Sequence, residues 1–128
     1  MRIAICDDEK QICELLKERI HKYYFAKDIE FHILTFESGD QVLEHDLDQI
    51  DVLFLDVDMP GRNGMDTARA IREQNKDMLI IFLTAYSEFV FESFKVEAFR
   101  YLVKPVSNQE LGETLDAIEQ RFYEEEER

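Results

Sequence analysis

Five short, mostly apolar segments alternate along the chain with segments in which apolar residues recur every three or four positions. The short segments are rich in aliphatic and β-branched residues and therefore predict strands; they are residues 2–6, 29–36, 51–55, 78–83 and 100–103. The spacing in the intervening segments is that of one helix face. It predicts helices over residues 9–25, from Ser38 through Leu43, over 65–74 and 87–95, and after Ser107.

The same spacing predicts which helical side chains face the interior. In the first helix they are Ile12, Leu15, Leu16, Arg19, Ile20, Tyr23 and Tyr24; in the third, Ala68 and Ile71; in the last, Leu111, Leu115, Ile118 and Phe122. For residues 87–95 the predicted inward stripe is Ser87, Val90, Phe91 and Phe94, with Phe89 off it. Ser38 and Ser107 are residues of the type that caps helix amino termini.

Strands that are apolar on both faces belong in a parallel sheet covered by helices on each side. The sequence therefore predicts an α/β fold with a five-stranded parallel sheet and helices on both faces. Residues 59–64 (MPGRNG) contain Pro and Gly and predict a loop. In such a fold, ligands bind at the carboxyl ends of the strands, beside a switch in strand order.

Length and charge narrow the class of protein. The 128 residues fit a single domain over 1–128. A net charge of −14 repels nucleic-acid phosphates and anionic membranes, so we expect no nucleic-acid binding by this segment itself. Two cysteines, Cys6 and Cys13, without a metal-binding pattern, predict reduced thiols in a cytosolic protein. Neither a signal peptide nor an apolar run of membrane-spanning length is evident, so we expect a cytoplasmic location.

Polar residues follow the predicted strands at the edge where a ligand is expected. Asp7 and Asp8 follow the first strand, and Asp56 follows the third, with Asp58 two residues further on. Thr84 follows the fourth strand, and Lys104 follows the fifth. Taken singly, such residues are typical of turns and helix caps.

Together, these residues have the chemistry of phosphoryl transfer. Clustered carboxylates repel one another and need a cation, and an incomplete set of oxygen ligands suits Mg²⁺. A carboxylate can attack phosphorus to form an aspartyl-phosphate. Lys104 supplies a positive charge for the transferred oxygens, and Thr84 supplies a hydroxyl donor.

Four motifs carry a resemblance to response-regulator receiver domains over essentially the whole chain: CDDE at 6–9, FLDVDMPGRNG at 54–64, LTAY at 83–86 and YLVKP at 101–105. The resemblance implies a flavodoxin-like (βα)5 receiver fold that works in a two-component phosphorelay. It implies that a sensor histidine kinase phosphorylates Asp56. The domain would then be a signalling module and not an enzyme, although it assists its own phosphorylation and dephosphorylation.

The resemblance also implies a role for each site residue. Asp8 and Asp56 are expected to ligate Mg²⁺ directly, together with the backbone carbonyl of Asp58, while Asp7 acts mostly through a bound water. Thr84 and Lys104 are expected to contact the phosphoryl group. The Lys104–Pro105 peptide is expected to be cis.

A switch follows from the same resemblance. The phosphoryl group adds about −1.5 to −2 charges; Thr84 is expected to move toward it, and Tyr101 to follow. The responding surface would comprise the helix 87–95, the strand 100–103 and the last helix, and would control homodimerisation. Asp58 and Tyr86 occupy positions that tune the lifetime of the phosphoryl group in this family.

The segment 84–105 resembles receivers of the LytTR subgroup, in which a DNA-binding domain follows the receiver. These 128 residues contain no such domain, so the sequence is interpreted as the receiver part of a longer protein, with a natural single-domain regulator as the alternative. DNA binding and transcription regulation would then belong to the missing C-terminal domain.

Two other functions compete with this interpretation. Residues 56–58 (DVD) resemble the nucleophile and general acid of haloacid dehalogenase-type phosphatases, which also use Mg²⁺. Against that alternative, the paired acids Asp7 and Asp8 come first in the chain, Met59-Pro60 departs from the pattern, and a cap domain is missing. The second alternative is an interaction module that no longer accepts phosphate.

Overall fold

The computed structural model describes residues 1–126, in which strands and helices alternate as the apolar pattern predicts. The strands are β1 Arg2–Cys6, β2 His32–Phe36, β3 Val52–Leu55, β4 Leu79–Thr84 and β5 Arg100–Val103. The α-helices are α1 Lys10–Ala26, α2 Gly39–Glu44, α3 Gly64–Gln74, α4 Val90–Lys95 and α5 Asn108–Glu126. A short 3₁₀ turn, Leu47–Gln49, lies between α2 and β3.

All five strands are parallel and lie in the order β2-β1-β3-β4-β5. The chain passes from β1 outward to β2 and then back across β1 to β3, so the strand order reverses beside β1. This reversal opens a crevice at the carboxyl ends of β1 and β3. The predicted five-stranded parallel sheet with helices on both faces is confirmed.

The sheet separates two cores, because successive side chains of a strand point to opposite faces. The first core lies under α1 and α5 and includes Ile5, Phe54, Ile20, Leu115 and Ile118. The second core lies under α2, α3 and α4 and includes Leu55, Phe82, Met65, Ala68 and Ile71. The inward positions of Ala68 and Ile71 are as predicted. Strands β3 and β4 are buried along their whole length, which explains why their sequences are apolar without alternation.

Side chains cap the helices at the predicted serines. The Ser38 hydroxyl accepts from the Gln41 backbone N–H at 3.2 Å, and the Ser107 hydroxyl accepts from the Glu110 N–H at 3.0 Å. Asn63 caps α3 in the same way, accepting from the Asp66 N–H at 2.9 Å. Because Asn63 sits inside the MPGRNG segment, the sequence predicts it only as part of a loop.

Two predictions about element bounds and faces are wrong. The second strand begins at His32 and not at residue 29, because His32 pairs with Arg2, the first residue of β1, and no strand lies further back to pair with. Ile29 and Phe31 instead pack against the first core. Leu15 does not face inward but is 61% exposed, since α1 turns Cys13, Leu16, Ile20 and Tyr24 toward the sheet.

The predicted inward face of the fourth helix is also wrong. The helix covers only Val90–Lys95, and Phe91 and Phe94 are 83% and 70% exposed. Ser93 faces the interior in their place, and its hydroxyl donates to the Val90 carbonyl at 2.5 Å. Phe89, expected off the inward stripe, packs against the second core.

None of the helices within residues 1–126 has the length and apolar composition needed to cross a bilayer.

Candidate functional site

Three carboxylates meet at the carboxyl edge of the sheet, next to the reversal in strand order. Asp7 and Asp8 directly follow β1, Asp56 directly follows β3, and one carboxylate oxygen from each lies within 4.8 Å of the others. Asp7 and Asp56 are buried, whereas Asp8 is exposed at the mouth of the site. The sequence-based expectation that the sheet brings these three residues together is therefore met.

Backbone hydrogen bonds extend the strand ladders to these residues. The Asp7 N–H donates to the Phe36 carbonyl at 3.1 Å, and the Asp56 N–H donates to the Cys6 carbonyl at 3.0 Å. The Lys104 N–H donates to the Thr84 carbonyl at 2.8 Å. Because Asp7, Asp56 and Lys104 are each the first residue beyond a strand, and Thr84 is the last residue of β4, the sheet sets their positions.

Lys104 bridges two of the carboxylates. Its Nζ lies 2.8 Å from Asp7 Oδ2 and 3.3 Å from Asp56 Oδ2. Burial alone would lower the pKa of Lys104, but the hydrogen bond and charge of Asp7 and the charge of Asp56 outweigh it and raise that pKa. Lys104 is thus held as a cation against Asp56. The peptide bond from Lys104 to Pro105 is cis, as expected.

The environment of Asp56 sets its acidity. Burial raises the pKa of the Asp56 carboxyl, and the charge of Asp7 adds to the effect. Lys104 and the polar Thr84 hydroxyl oppose this rise, as does the Asp58 N–H, which donates to Asp56 Oδ1 at 3.2 Å. The net result is a raised pKa, because burial disfavours the charged form more than these neighbours favour it.

Gly64 holds the loop after β3 against the site. Its N–H donates to the Val57 carbonyl at 2.9 Å, and a Cβ at this position would overlap the backbone carbonyl of Asp56. Only glycine permits this close approach without displacing the backbone that carries Asp56. The sequence analysis places Gly64 in a loop and gives it no role, because a close approach of two backbones leaves no pattern in the sequence.

Asp58 and Tyr86 meet at the opening of the site. Asp58 is exposed, and its carboxylate is not one of the three that cluster. The charge of Asp58 and its hydrogen bond with the Tyr86 hydroxyl raise the pKa of Tyr86. Both residues border a cavity of about 480 Å³ above Asp56 that Lys104 also lines. Sequence analysis names both residues but not their contact.

Tyr101 connects β5 to the loop between β4 and α4. It is half-buried, its ring centroid lies 5.7 Å from that of Phe82, and its hydroxyl donates to the Tyr86 carbonyl. The Tyr86 N–H in turn donates to the Thr84 hydroxyl at 3.3 Å. A continuous set of hydrogen bonds therefore links Thr84, at the end of β4, through Tyr86 to Tyr101.

The donor set fits Mg²⁺. The three clustered carboxylates offer hard oxygen ligands, and Lys104 neutralises only part of their charge. Such an oxygen set, incomplete and open to solvent at Asp8, is the kind that Mg²⁺ occupies while keeping several waters. The structure thereby supports a cation at this edge, and the role of each ligand stays a prediction.

Fold and site define a doubly wound α/β protein with an acidic cluster at the switch in strand order. The sequence profile of the response regulator receiver domain matches residues 3–116. The chain belongs to the response regulator receiver domain family, as the sequence motifs predict. The comparisons give no support to the haloacid dehalogenase alternative.

Individual relatives agree with this assignment. The sensory transduction protein LytT of Bacillus subtilis is 32% identical over 116 residues, which are 90% of this chain and 46% of LytT. The response regulatory domain of the protein mrkE from Klebsiella pneumoniae superposes with a TM-score of 0.85 at 26% identity, over 97% of this chain and 99% of that one. The chain spans about half the length of the curated relatives it matches.

A third relative was solved as a complex with a small inorganic ligand. The response regulator TrrA from Thermotoga maritima, solved in complex with Mg²⁺-BeF, superposes with a TM-score of 0.78 at 36% identity. The alignment covers 91% of this chain and 97% of TrrA.

Proposed function

We propose that Asp56 accepts a phosphoryl group from the phosphohistidine of a sensor histidine kinase. The observation that carries this proposal is the contact of the Lys104 ammonium with Asp56 inside the three-carboxylate cluster. A carboxylate oxygen of Asp56 attacks phosphorus, the bond from phosphorus to the histidine nitrogen breaks, and the imidazole leaves with the electron pair. Positioning and charge neutralisation supply most of the catalysis in such transfers.

The neighbours of Asp56 have separate tasks in this proposal. Lys104 would bind a transferred phosphoryl oxygen, and the Thr84 hydroxyl would donate to another. Asp8, Asp56 and the backbone carbonyl of Asp58 would hold Mg²⁺, with Asp7 acting through water. The bound ion would neutralise the carboxylates and the incoming phosphoryl oxygens. The Mg²⁺-BeF complex of TrrA supports this cofactor.

The output that we propose is homodimerisation through the face of α4, β5 and α5. Phosphorylation would draw Thr84 toward Asp56 and shift the contacts of Tyr86 and Tyr101. Phe91 and Phe94 support this assignment, because a six-residue helix that exposes two aromatic rings departs from the usual burial of large apolar side chains. In the cytoplasm, the dimer would regulate transcription through a DNA-binding domain that follows the receiver in the full-length protein.

Intact-mass spectrometry tests the phosphoacceptor. The protein is incubated with acetyl phosphate and Mg²⁺, beside an Asp56→Asn variant. We expect one added phosphoryl group in the wild type and none in the variant, because an amide is not a nucleophile for phosphorus. Equal labelling of the variant would refute the assignment of Asp56.

Phosphate-release assays and an Asp8→Ala variant, run beside this experiment, separate the alternatives. Continuous phosphate release from small phosphomonoesters without an adduct would favour the phosphatase alternative. If neither the adduct nor phosphate release were detected, the interaction module would be the remaining alternative. We expect the Asp8→Ala variant to need more Mg²⁺ than the wild type to form the adduct. If phosphorylation of the variant depended on Mg²⁺ concentration as it does in the wild type, the ligand role of Asp8 would be contradicted.

The dimer surface has its own test. Phe91→Ser with Phe94→Ser should abolish the increase in molecular mass that beryllofluoride and Mg²⁺ produce in light scattering. Phe25→Ser is the matched control, because Phe25 is 87% exposed and belongs to α1, which is not part of the proposed surface. Loss of dimerisation in the control as well would point to a general effect of surface hydrophobicity.

A further inference from the structure

Two arginines on α3 contact α4 at different points. Arg69 and Arg72 are one turn apart, so they lie on the same side of the helix. Arg69 Nη2 lies 2.8 Å from Glu92 Oε2, in the first turn of α4. Arg72 instead contacts the two residues that follow α4. The two contacts differ in kind, because one joins exposed side chains and the other joins a side chain to the backbone.

Arg72 binds the backbone where α4 ends. Its Nε donates to the Val96 carbonyl at 2.7 Å, and its Nη2 donates to the Glu97 carbonyl at 3.1 Å. Its Nη1 donates to the carbonyl of Asn75, at the end of its own helix, at 3.3 Å. One guanidinium therefore fixes the end of α4 relative to the end of α3. The carbonyls at a helix carboxyl terminus carry partial negative charge, so a cation binds there favourably.

The rest of this end of α4 is also firmly held. Glu97 has a positive φ of 53°, and the Glu97 and Ala98 N–H groups bond back to the Phe94 and Ser93 carbonyls at 3.1 and 3.0 Å. The Val96 side chain is buried in the second core, and the Phe99 N–H continues into the sheet by donating to the Ile80 carbonyl. A left-handed residue followed by these two bonds is a common way for a helix to end.

The amino-terminal end of α4 has weaker attachments. No side chain caps it, and the residues from Ala85 through Glu88 are exposed. The Arg69–Glu92 ion pair at this end joins exposed side chains, and Phe89 is only partly buried against the second core. The loop before the helix is held through Tyr86 by Thr84 and Tyr101, which are the groups that respond in the proposed function. The less firmly held end thus lies beside the phosphorylation site, and the anchored end lies away from it.

We propose that Arg72 is the fixed pivot of α4, about which its amino-terminal end swings when Asp56 is phosphorylated. This inference rests on the proposed function. Arg72 is then a positioning residue that converts a local change at Thr84 into a rotation of the surface bearing Phe91 and Phe94. Without this contact, α4 would shift or unfold as a whole, and phosphorylation would no longer produce a defined rotation of the helix.

Amide hydrogen exchange tests the pivot, first in the unmodified protein. Arg72→Met removes the donors while keeping an apolar side chain of similar length. The Glu97 and Ala98 amides of this variant should exchange about tenfold faster or more, a factor typical of losing a charge-assisted hydrogen bond. In Arg72→Lys, the exchange rates of these amides should lie between those of the wild type and those of Arg72→Met. Arg69→Gln is the matched control and should leave these two amides unchanged, because its contact lies in the first turn.

Beryllofluoride with Mg²⁺, as a stand-in for the phosphoryl group, supplies the second arm. In the wild type, exchange at Val90 and in the preceding loop should change. Exchange at Glu97 and Ala98 should change less than about twofold, because local opening of the anchored end should be nearly unaffected. In Arg72→Met, both ends should respond. Equal responses at both ends of the wild type would overturn the pivot, as would unchanged exchange in the unmodified Arg72→Met protein.

Failure of the proposed function would look different. If beryllofluoride changed no amide at all, the phosphoacceptor role and the swing of α4 would both be refuted. The comparison of wild type with Arg72→Met in the unmodified state would still decide whether Arg72 anchors the helix end.

Discussion

The position of Asp56 depends on a residue that has no side chain. Gly64 lets the start of α3 approach the Asp56 carbonyl more closely than any Cβ would allow. Gly61, three residues earlier, differs in kind: it has a positive φ of 77° and open space around it. The two glycines of this loop are therefore required for different reasons, one by steric crowding and the other by backbone conformation.

Gly64→Ala is expected to lower the free energy of unfolding by about 2–4 kcal/mol, because the new methyl must displace the backbone carrying Asp56. Gly61→Ala is expected to cost only about 1 kcal/mol, since only the left-handed conformation is penalised. Urea denaturation of both variants measures the difference. A Gly64→Ala variant no less stable than Gly61→Ala would show that the loop relaxes around the added methyl.

At the scale of single residues, the sequence predicted the charged side chains of the site but not the neighbouring residues that position them. Asp7, Asp56 and Lys104 were predictable because each polar residue directly follows an apolar strand, and parallel strands end at one edge. The steric role of Gly64 and the contact of Asp58 with Tyr86 were not predictable. Both depend on how two loops approach each other, which no local spacing records.

Among the elements, the amino ends of β1 and β3 are joined by an ion pair. Arg2 donates from its backbone N–H and its guanidinium to the Asp51 carboxylate, at 2.8 to 3.1 Å. Burial would raise the pKa of Asp51, but the Arg2 hydrogen bonds and charge outweigh it and lower that pKa below its usual range. The pair thus aligns the two strands at the end of the sheet opposite the carboxylate cluster.

This lowered pKa predicts a pH-dependent contribution to stability. A carboxyl group with a lower pKa in the folded state stabilises the fold above its unfolded value of about 3.9, and the effect is lost as pH falls through the folded value. Asp51→Asn should therefore lower the free energy of unfolding by about 1 kcal/mol at pH 7, since partial exposure of Arg2 screens the pair.

Urea denaturation at pH 7 and in acid measures this effect, with exposed Asp48→Asn as the control. The Asp51→Asn deficit should shrink toward zero below about pH 4, where the wild-type carboxyl also becomes neutral in the unfolded chain. A deficit that stays constant across this range would mean that the carboxamide disturbs packing and that charge is not the cause.

Element types were predictable from the sequence, but the orientation of α4 was not. Buried strands such as β3 and β4 stand out because nothing polar interrupts them. A helix of six residues makes fewer than two turns, so its spacing barely distinguishes one face from another. The assumption that Phe91 and Phe94 must be buried then selected the wrong face, whereas the structure buries the small Ser93.

At the scale of the whole molecule, the chain has a net charge of −14 and also concentrates three carboxylates in one cluster. Like charges held together oppose folding, and any cation that binds the folded state alone reverses that penalty. The stability of this protein should therefore depend on Mg²⁺ concentration more strongly than general salt screening accounts for.

Asp8→Ala separates charge repulsion from cation binding. Without Mg²⁺, the variant should be as stable as the wild type or more so, because one of the clustered charges is gone. At Mg²⁺ one hundred times its dissociation constant, the wild type should gain about 2.7 kcal/mol, and the variant should lose most of this gain.

Thermal unfolding at several Mg²⁺ concentrations measures both effects. Glu44→Ala, which removes an equal charge from an exposed site on α2, is the control and should keep the full response to Mg²⁺. An Asp8→Ala variant that keeps the full response would exclude Asp8 as a ligand.

The central sheet also has an evolutionary consequence. Substitutions in the first core, under α1 and α5, are separated by a layer of backbone from substitutions in the second core, under α2, α3 and α4. Effects on stability add when altered residues share no contacts. A lineage can therefore remodel the packing behind one face while the packing behind the other stays intact. Divergence of one binding surface need not wait for compensating changes beneath the opposite one.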